Sequence, residues 1–269
     1  MSSAAVESAK DAKKSPQLIL RLEIREALQA LDRSLIGLLI SGLSGGLDIG
    51  FSLFLMAVMH TLTADILSKP VTEILVANMY TVGFIFVVLG RSELFTEQTT
   101  LAVLPVISGH ASIPALLRLW VAVYVSNLVG AALFAGIASY IGPASGVIDP
   151  QSFGVIGRRM VESPTPVMIT SGVLAAWLMG LLSWLVAAGR ETISQLAVVW
   201  LITFSIGLSH LHHAVAGSVE VLAGLFSGQG ITWQDYGYFL LWSTLGNILG
   251  GVFFVAILKY TQAVHDENS

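Results

Sequence analysis

Long stretches of this chain carry no charged residue, and their lengths match the thickness of a bilayer. Ile74 to Gly90, Leu119 to Gly142, Val167 to Gly189 and Tyr236 to Leu258 contain no Asp, Glu, Lys or Arg, and Leu35 to Met59 contains only Asp48. A helix needs about 20 mostly apolar residues to cross roughly 30 Å of hydrocarbon, so these five windows predict five spans. Thr192 to Phe226 is longer than one span needs and has Glu220 as its single charge, which predicts a sixth span that is interrupted. Thr99 to Leu117 is also apolar but is punctuated by Pro105, Gly109 and Pro114, and reads as a re-entrant segment or the second half of span two. Residues 17 to 33 alternate apolar and charged positions at helical spacing, with Leu20, Ile24, Leu28 and Leu31 on one side. That pattern predicts an amphipathic helix over 16–33, lying on the membrane surface or against a neighbouring subunit. The expected organisation is a disordered tail at 1–15, this helix, a six-span domain at 34–261 and a second tail at 262–269.

Composition supports the same reading. Of 269 residues, 55% are hydrophobic and 11% charged, and the mean hydropathy is +0.80. Water-soluble chains carry roughly a quarter charged residues, so this one lacks the polar groups to cover a water-facing surface. There is no cysteine, which removes disulfides, thiolate metal sites and cysteine nucleophiles. A formal net charge of -4 argues against a nucleic-acid partner. With six crossings, one side of the membrane receives Lys10, Lys13, Lys14, Arg21, Arg25, Arg33, Arg118, Arg190 and Lys259, and the other only Lys69, Arg158 and Arg159. Positive loops stay cytoplasmic, so a multi-pass protein of the inner membrane with both termini in the cytoplasm is expected.

An internal repeat shows in two places. Asn127-Leu-Val-Gly130 and Asn247-Ile-Leu-Gly250 share one pattern 120 positions apart, in spans three and six. Spans two and five each run into a polar interruption, Gly90-Arg91-Ser92-Glu93-Leu94-Phe95-Thr96-Glu97 and Ser209-His210-Leu211-His212-His213-Ala214, followed by more apolar chain. Three spans followed by three inverted spans, each half with a broken helix, is the plan of a transporter or channel. Irregular backbone at membrane depth must line a cavity inside protein, and the freed N–H groups of the two second half-helices would favour an anion there.

Ser92-Glu-Leu-Phe-Thr96 and His213-Ala-Val-Ala216 resemble the two broken-helix motifs of the formate/nitrite transporter family, with a likeness running from about residue 35 to 258. Leu94-Phe-Thr-Glu-Gln98, Ala102-Val-Leu-Pro-Val106 and Gly217-Ser-Val-Glu220 are similar to a divergent branch of it. The resemblance implies an all-α, aquaporin-like protomer of six helices with a 3+3 inverted repeat and broken helices two and five. It further implies a homopentamer in the lipid bilayer with a pore through each protomer for a small monovalent anion or its weak acid. It makes His213 the central pore histidine, Thr96 its partner on the facing loop and Phe95 a pore-lining residue beside it. Leu94 and Phe84 become the cytoplasmic-side constriction, and Tyr80 and Ile206 the outer one. The chain departs from the family pattern at His212 (usually Glu), Gly217 (usually Asn), Ala176 (usually Asn), Met160 (usually Lys) and Arg91 (usually small).

The chemistry expected of such a pore follows from the cost of moving charge into low dielectric. The anion is drawn in by the half-helix ends and by Arg91 or Arg159, then crosses the constrictions as its neutral acid with His213 mediating the proton. Glu97 and Glu220 are acids at membrane depth, which points to a partner or a proton path. Gly42-Leu-Ser44-Gly45 matches the short signature of intramembrane serine proteases, but its serine lies in the first span, far ahead of any histidine. His210-x-His212-His213 offers imidazoles to a metal, yet histidines two apart diverge on a regular helix. An aquaporin would need Asn-Pro-Ala half-helices, and Asn78, Asn127 and Asn247 are not followed by proline. A structural or regulatory membrane protein is the remaining alternative. No enzyme activity, organic cofactor, metal or soluble partner is implied.

Overall fold

The structure, a computed structural model, describes residues 13–265, which are helical with short connections and no strand. In chain order the helices are α1 (Pro16–Leu31), α2 (Leu35–Thr63), α3 (Lys69–Gly90), α4 (Phe95–Leu101), α5 (Val103–Ile107), α6 (Ile113–Ala144), α7 (Pro150–Val161), α8 (Thr165–Ala188), α9 (Thr192–Leu208), α10 (Ala214–Phe226), α11 (Trp233–Leu249) and α12 (Leu258–His265). A π-helical stretch, Gly250–Ile257, joins the last two. Among the described residues, five helices are long and apolar enough to cross a membrane: α2, α3, α6, α8 and the continuous α11 to α12 rod. The sixth expected span is the 17-residue α9 followed by the 13-residue α10, broken where the polar run predicts.

The Thr99 to Leu117 stretch behaves differently from the expectation. Only its first part follows the break in span two, as α4 and α5; Pro114 sits in the first turn of α6, where a missing N–H costs nothing, and starts the next span. The 12-residue helix α7 was not anticipated. Its signal was Asp149-Pro150, a capping carboxylate that accepts from the Gln151 N–H, followed by proline at the first helical position.

Outward-facing side chains explain the composition. Leu117, Val121, Val125, Val129, Leu133 and Ile137 on α6 are all exposed at a four-residue interval, giving a single apolar stripe down one face. Inside, α6 lies close against α2, and α11 against α8. A Cβ on Gly130 would sit 2.5 Å from the Leu43 carbonyl oxygen, and one on Gly250 would sit 2.3 Å from the Val173 carbonyl oxygen. The same glycine in each half therefore allows the same close crossing. Tyr124 and Thr244 hydrogen-bond at 2.6 Å, so residues at equivalent positions of the two halves meet where the halves face one another.

Both ends of the expected organisation need correction. Lys14, placed in the N-terminal tail, donates to the Ala187 (2.5 Å) and Gly189 (3.0 Å) carbonyl oxygens at the end of α8, where a helix leaves carbonyls unpaired. Helix α12 runs to His265, so 262–265 are helical, and residues 1–12 and 266–269 lie outside the described part of the chain.

Helix α1 also buries an acid. Glu23 is 2% exposed and accepts from the Ser183 hydroxyl of α8 at 3.3 Å. Burial first, then the neighbouring Glu26 and Glu97 carboxylates, raise its pKa well above the ordinary carboxylate value. A carboxyl with a raised folded-state pKa favours the folded form at pH below its unfolded value and loses that contribution as pH climbs through the folded one. Glu23→Gln is therefore expected to flatten the fall of Tm in detergent as pH rises above the ordinary carboxylate range, followed by tryptophan fluorescence. A pH dependence of Tm identical to that of the parent chain would contradict this role.

Candidate pore

The two breaks come together in the interior, and each is held by an asparagine. Asn127 of α6 accepts from the Phe95 N–H at 2.8 Å and donates to the carbonyl oxygens of Gly42 (2.6 Å) and Glu93 (2.9 Å). Asn247 of α11 accepts from the Ala214 N–H at 2.8 Å and donates to the carbonyl oxygens of Gly172 (2.9 Å) and His212 (3.0 Å). The sequence motif Asn-x-x-Gly thus does two jobs: the glycine permits the helix crossing and the asparagine satisfies irregular backbone where no water can. The asparagine's job is not visible in the sequence pattern, which shows only that the motif repeats. Each break turns through a left-handed non-glycine residue, Arg91 with φ 58° and His210 with φ 49°, an uncommon conformation outside glycine.

Between the breaks, Thr96 Oγ1 lies 2.6 Å from His213 Nε2, with both residues buried. His213 is also the N-cap of α10, its Nδ1 accepting from the Ala216 N–H at 3.2 Å. With Nδ1 engaged as an acceptor, the neutral ring must carry its hydrogen on Nε2, pointed at Thr96. The Phe84 ring meets the imidazole edge to face at 5.2 Å, and Tyr80 lies 5.0 Å from Phe84. Leu94 and Ile206 are fully buried beside this column. Phe95 turns elsewhere, onto Tyr124 (4.5 Å) and Trp120 (5.9 Å) of α6.

Cavities open on both sides of this column and do not join. On the α1 side, two adjoining spaces of about 140 and 420 Å³ share Glu26, Arg91 and Glu97 in their walls. On the α7 side, a space of about 20 Å³ is lined by His60, Glu73, Arg159, His210 and Glu220, and an open one of about 680 Å³ again has Arg159 and His210 in its wall. On α3 the walls of the two sides end at Val87 and Ala77, so about 15 Å of helix containing Tyr80 and Phe84 separates them.

A family model described as formate/nitrite transporter matches residues 18–261. The chain belongs to the formate/nitrite transporter family. It is 31% identical over 242 residues to the inner membrane protein YfdC of Escherichia coli, covering 89% of this chain and 76% of that protein. It is 31% identical to a probable formate transporter of Methanothermobacter thermautotrophicus, covering 68% and 72%, and 25% identical to the nitrite transporter NirC of Salmonella typhimurium, covering 82% and 81%. Among solved structures it superposes on an ion channel of this family with a TM-score of 0.82 at 22% identity, covering 91% and 98%. On a pentameric formate channel with formate bound, the TM-score is 0.74 at 22% identity, covering 89% and 98%. The protein is thus an all-α polytopic membrane transporter or channel of the formate/nitrite transporter fold.

Two positions where this formate/nitrite transporter departs from the pattern expected of its family, His212 and Met160, meet in space. His212 Nε2 donates to the Met160 carbonyl oxygen (3.2 Å), while its Nδ1 and backbone N–H both engage Ser171 Oγ at 2.9 Å. The His210-x-His212-His213 run is pulled apart in consequence, with one imidazole on Glu73, one on Ser171 and one on Thr96. Ser44 hydrogen-bonds to Asp48 and Ser92 instead of a histidine, which removes the basis for the protease reading. The expected attraction of an anion by freed half-helix N–H groups is weaker than the sequence implies, because the Phe95, Ala214 and Ala216 N–H groups are already bonded. Arg159, expected to recruit an anion, forms a two-pronged pair with Glu73. Arg91 and Glu97 lie on one side of the barrier, Arg159 and Glu220 on the other.

Replacing Asn127 or Asn247 by alanine would leave unpaired a buried N–H, that of Phe95 or Ala214, and the loop carbonyl of Glu93 or His212, each costing about 1–3 kcal/mol, while the Gly42 and Gly172 carbonyls keep their helical partners. Either variant should lose several degrees of Tm in detergent, and Asn→Asp should not rescue it, since a carboxylate cannot donate to the two carbonyls. Parent-like melting of both alanine variants would remove the clamp from the account.

Proposed function

We propose that this formate/nitrite transporter passes a small monovalent anion, formate or nitrite being the representative cases, across the membrane as its neutral acid. The path runs between Leu94 and Phe84 on one side and Tyr80 and Ile206 on the other, with His213 and Thr96 at its centre. The observation that carries this is the 2.6 Å contact of His213 Nε2 with Thr96 Oγ1 where the two broken helices meet. Magnitudes select the neutral species. Taking a bare ion into low dielectric costs on the order of tens of kcal/mol, whereas protonating a carboxylate of pKa about 4 at pH 7 costs about 4 kcal/mol.

His213 and Thr96 supply two converging hydrogen-bond donors, which suits an acceptor with two oxygens. Donation is available in the ring's resting tautomer. Outright proton transfer from Nε2 would leave an imidazolate, so the ring relays a proton only when Nδ1 takes one up and releases the Ala216 N–H. Proton relay and loosening of the first turn of α10 are one event. Passage also requires the Tyr80 and Phe84 rings to part, since the column is shut along about 15 Å of α3. Arg91, between cavities that Glu26 and Glu97 also line, raises the local anion concentration on the α1 side.

The positive-inside pattern supports assigning the α1 side to the cytoplasm of an inner membrane, with both termini there and the α7 side outward. The pentameric neighbour supports a homopentamer with one path per protomer.

His213→Asn keeps a residue able to cap α10 and removes the titrating ring; Thr96→Val removes the hydroxyl at nearly constant volume. In proteoliposomes both should lower formate and nitrite uptake by roughly a hundredfold and abolish its acceleration at acidic pH. Uptake and pH dependence unchanged in His213→Asn would defeat the proposal.

A further inference from the structure

The α7-side mouth holds a carboxylate where an incoming one would bind. Arg159 on α7 donates from Nη1 to Glu73 Oε2 at 2.6 Å and from Nη2 to Glu73 Oε1, a two-pronged pairing with the second turn of α3. His210, at the left-handed corner of the second break, has its Nε2 at 3.3 Å from both Arg159 Nη1 and Glu73 Oε2. Arg159 and His210 form the partition between the open 680 Å³ cavity and the enclosed one, while Glu73 lines only the enclosed side. The pair is within reach of water, with side chains 29% and 17% exposed.

We propose that Arg159 with His210 is the anion-selecting site of this mouth, its ligand a planar monoanion with two oxygens on one central atom, and that Glu73 is a tethered competitor filling it at rest. This rests on the anion-transport reading above and names the residues that choose the anion. A guanidinium presents two parallel N–H donors whose spacing fits the two oxygens of a carboxylate or nitrite, and a spherical halide cannot use both. Glu73 shows that the fork accepts this geometry here. A tethered group competes at an effective concentration in the millimolar range, so the free anion displaces Glu73 only when abundant, and the mouth discharges it readily toward the barrier. Glu162 in the wall of the open cavity is a like charge that limits how long an anion stays.

The test is direct binding of radiolabelled formate to the purified full-length protein in detergent, by equilibrium dialysis, with chloride as competitor. Glu73→Gln is expected to lower the Kd for formate about tenfold, and adding Arg159→Gln should erase that gain. Arg159→Lys keeps the charge but loses the fork, and is expected to lose the preference for formate and nitrite over chloride. The central-histidine reading fails in the flux of His213→Asn and this one in the formate affinity of Glu73→Gln, so the two failures register in different measurements on different variants. A folded Glu73→Gln that binds formate no more tightly than the parent overturns the proposal and leaves the pair a tie between α3 and α7. Should that variant not fold, unchanged selectivity in Arg159→Lys overturns it equally.

Discussion

Backbone polar groups cannot be left bare inside a bilayer, and the rest of this structure depends on how two asparagines meet that demand. A broken helix at membrane depth exposes N–H and C=O groups that water would satisfy elsewhere. Asn127 and Asn247 each accept one N–H and donate to two carbonyls, from equivalent places in two inverted halves. With the loops fixed, Thr96 and His213 are fixed too, because each lies within two residues of a clamped N–H. The polar centre of the protein is therefore set from behind, by side chains that face the loops and not the path.

Much of this was legible in the sequence, for identifiable reasons. Windows of bilayer length with no charge, or in α2 with Asp48 alone, marked α2, α3, α6, α8 and α11, because a charged side chain facing lipid is costly. The polar runs at 90–97 and 209–214 marked the breaks, because such residues have no place on a lipid-facing helix. Juxtaposition was legible only in part. The approach of Thr96 to His213 rested on the inverted repeat and the family motifs, since no periodicity links residues on separate helices. The Arg159 to Glu73 pair was not visible at all: Glu73 precedes the charge-free window of span two and reads as a loop acid. The role of asparagine in the Asn-x-x-Gly motif was hidden for a related reason. Small residues announce close packing by themselves, whereas a hydrogen-bonding side chain announces a role only once its partner is known.

The two mouths are built alike and charged differently. Both breaks turn at a left-handed residue with a basic or imidazole side chain, Arg91 on one side and His210 on the other. Around Arg91 stand Glu26 and Glu97, with Glu93 already engaged by Arg33 and Gln98. Around His210 stand Arg159 and Glu73, paired to each other. Pseudo-symmetry in the backbone thus coexists with asymmetry in the charge arrangement, the condition under which the same path meets an anion differently from its two ends. Inversion of the fold does not require inversion of the chemistry.

Position along the path decides which charges are tolerable. At the mouths, ion pairs such as Arg159 to Glu73 remain within reach of water, and the penalty for exchanging one carboxylate for another is small, because the guanidinium stays paired throughout. At the centre no such exchange is possible. The column from Val87 to Ala77 is lined mainly by aromatic and aliphatic surface, its polar groups being the neutral Tyr80, Thr96 and His213 side chains, and a bare charge there has no partner to trade. Under the proposed mechanism, an anion held as an ion at Arg159 therefore passes the constrictions around His213 as a neutral molecule. On the α7 side the enclosed cavity, with Arg159 in its wall, also carries the titratable groups His60, Glu73 and Glu220, and the proposed mechanism puts the change of species there.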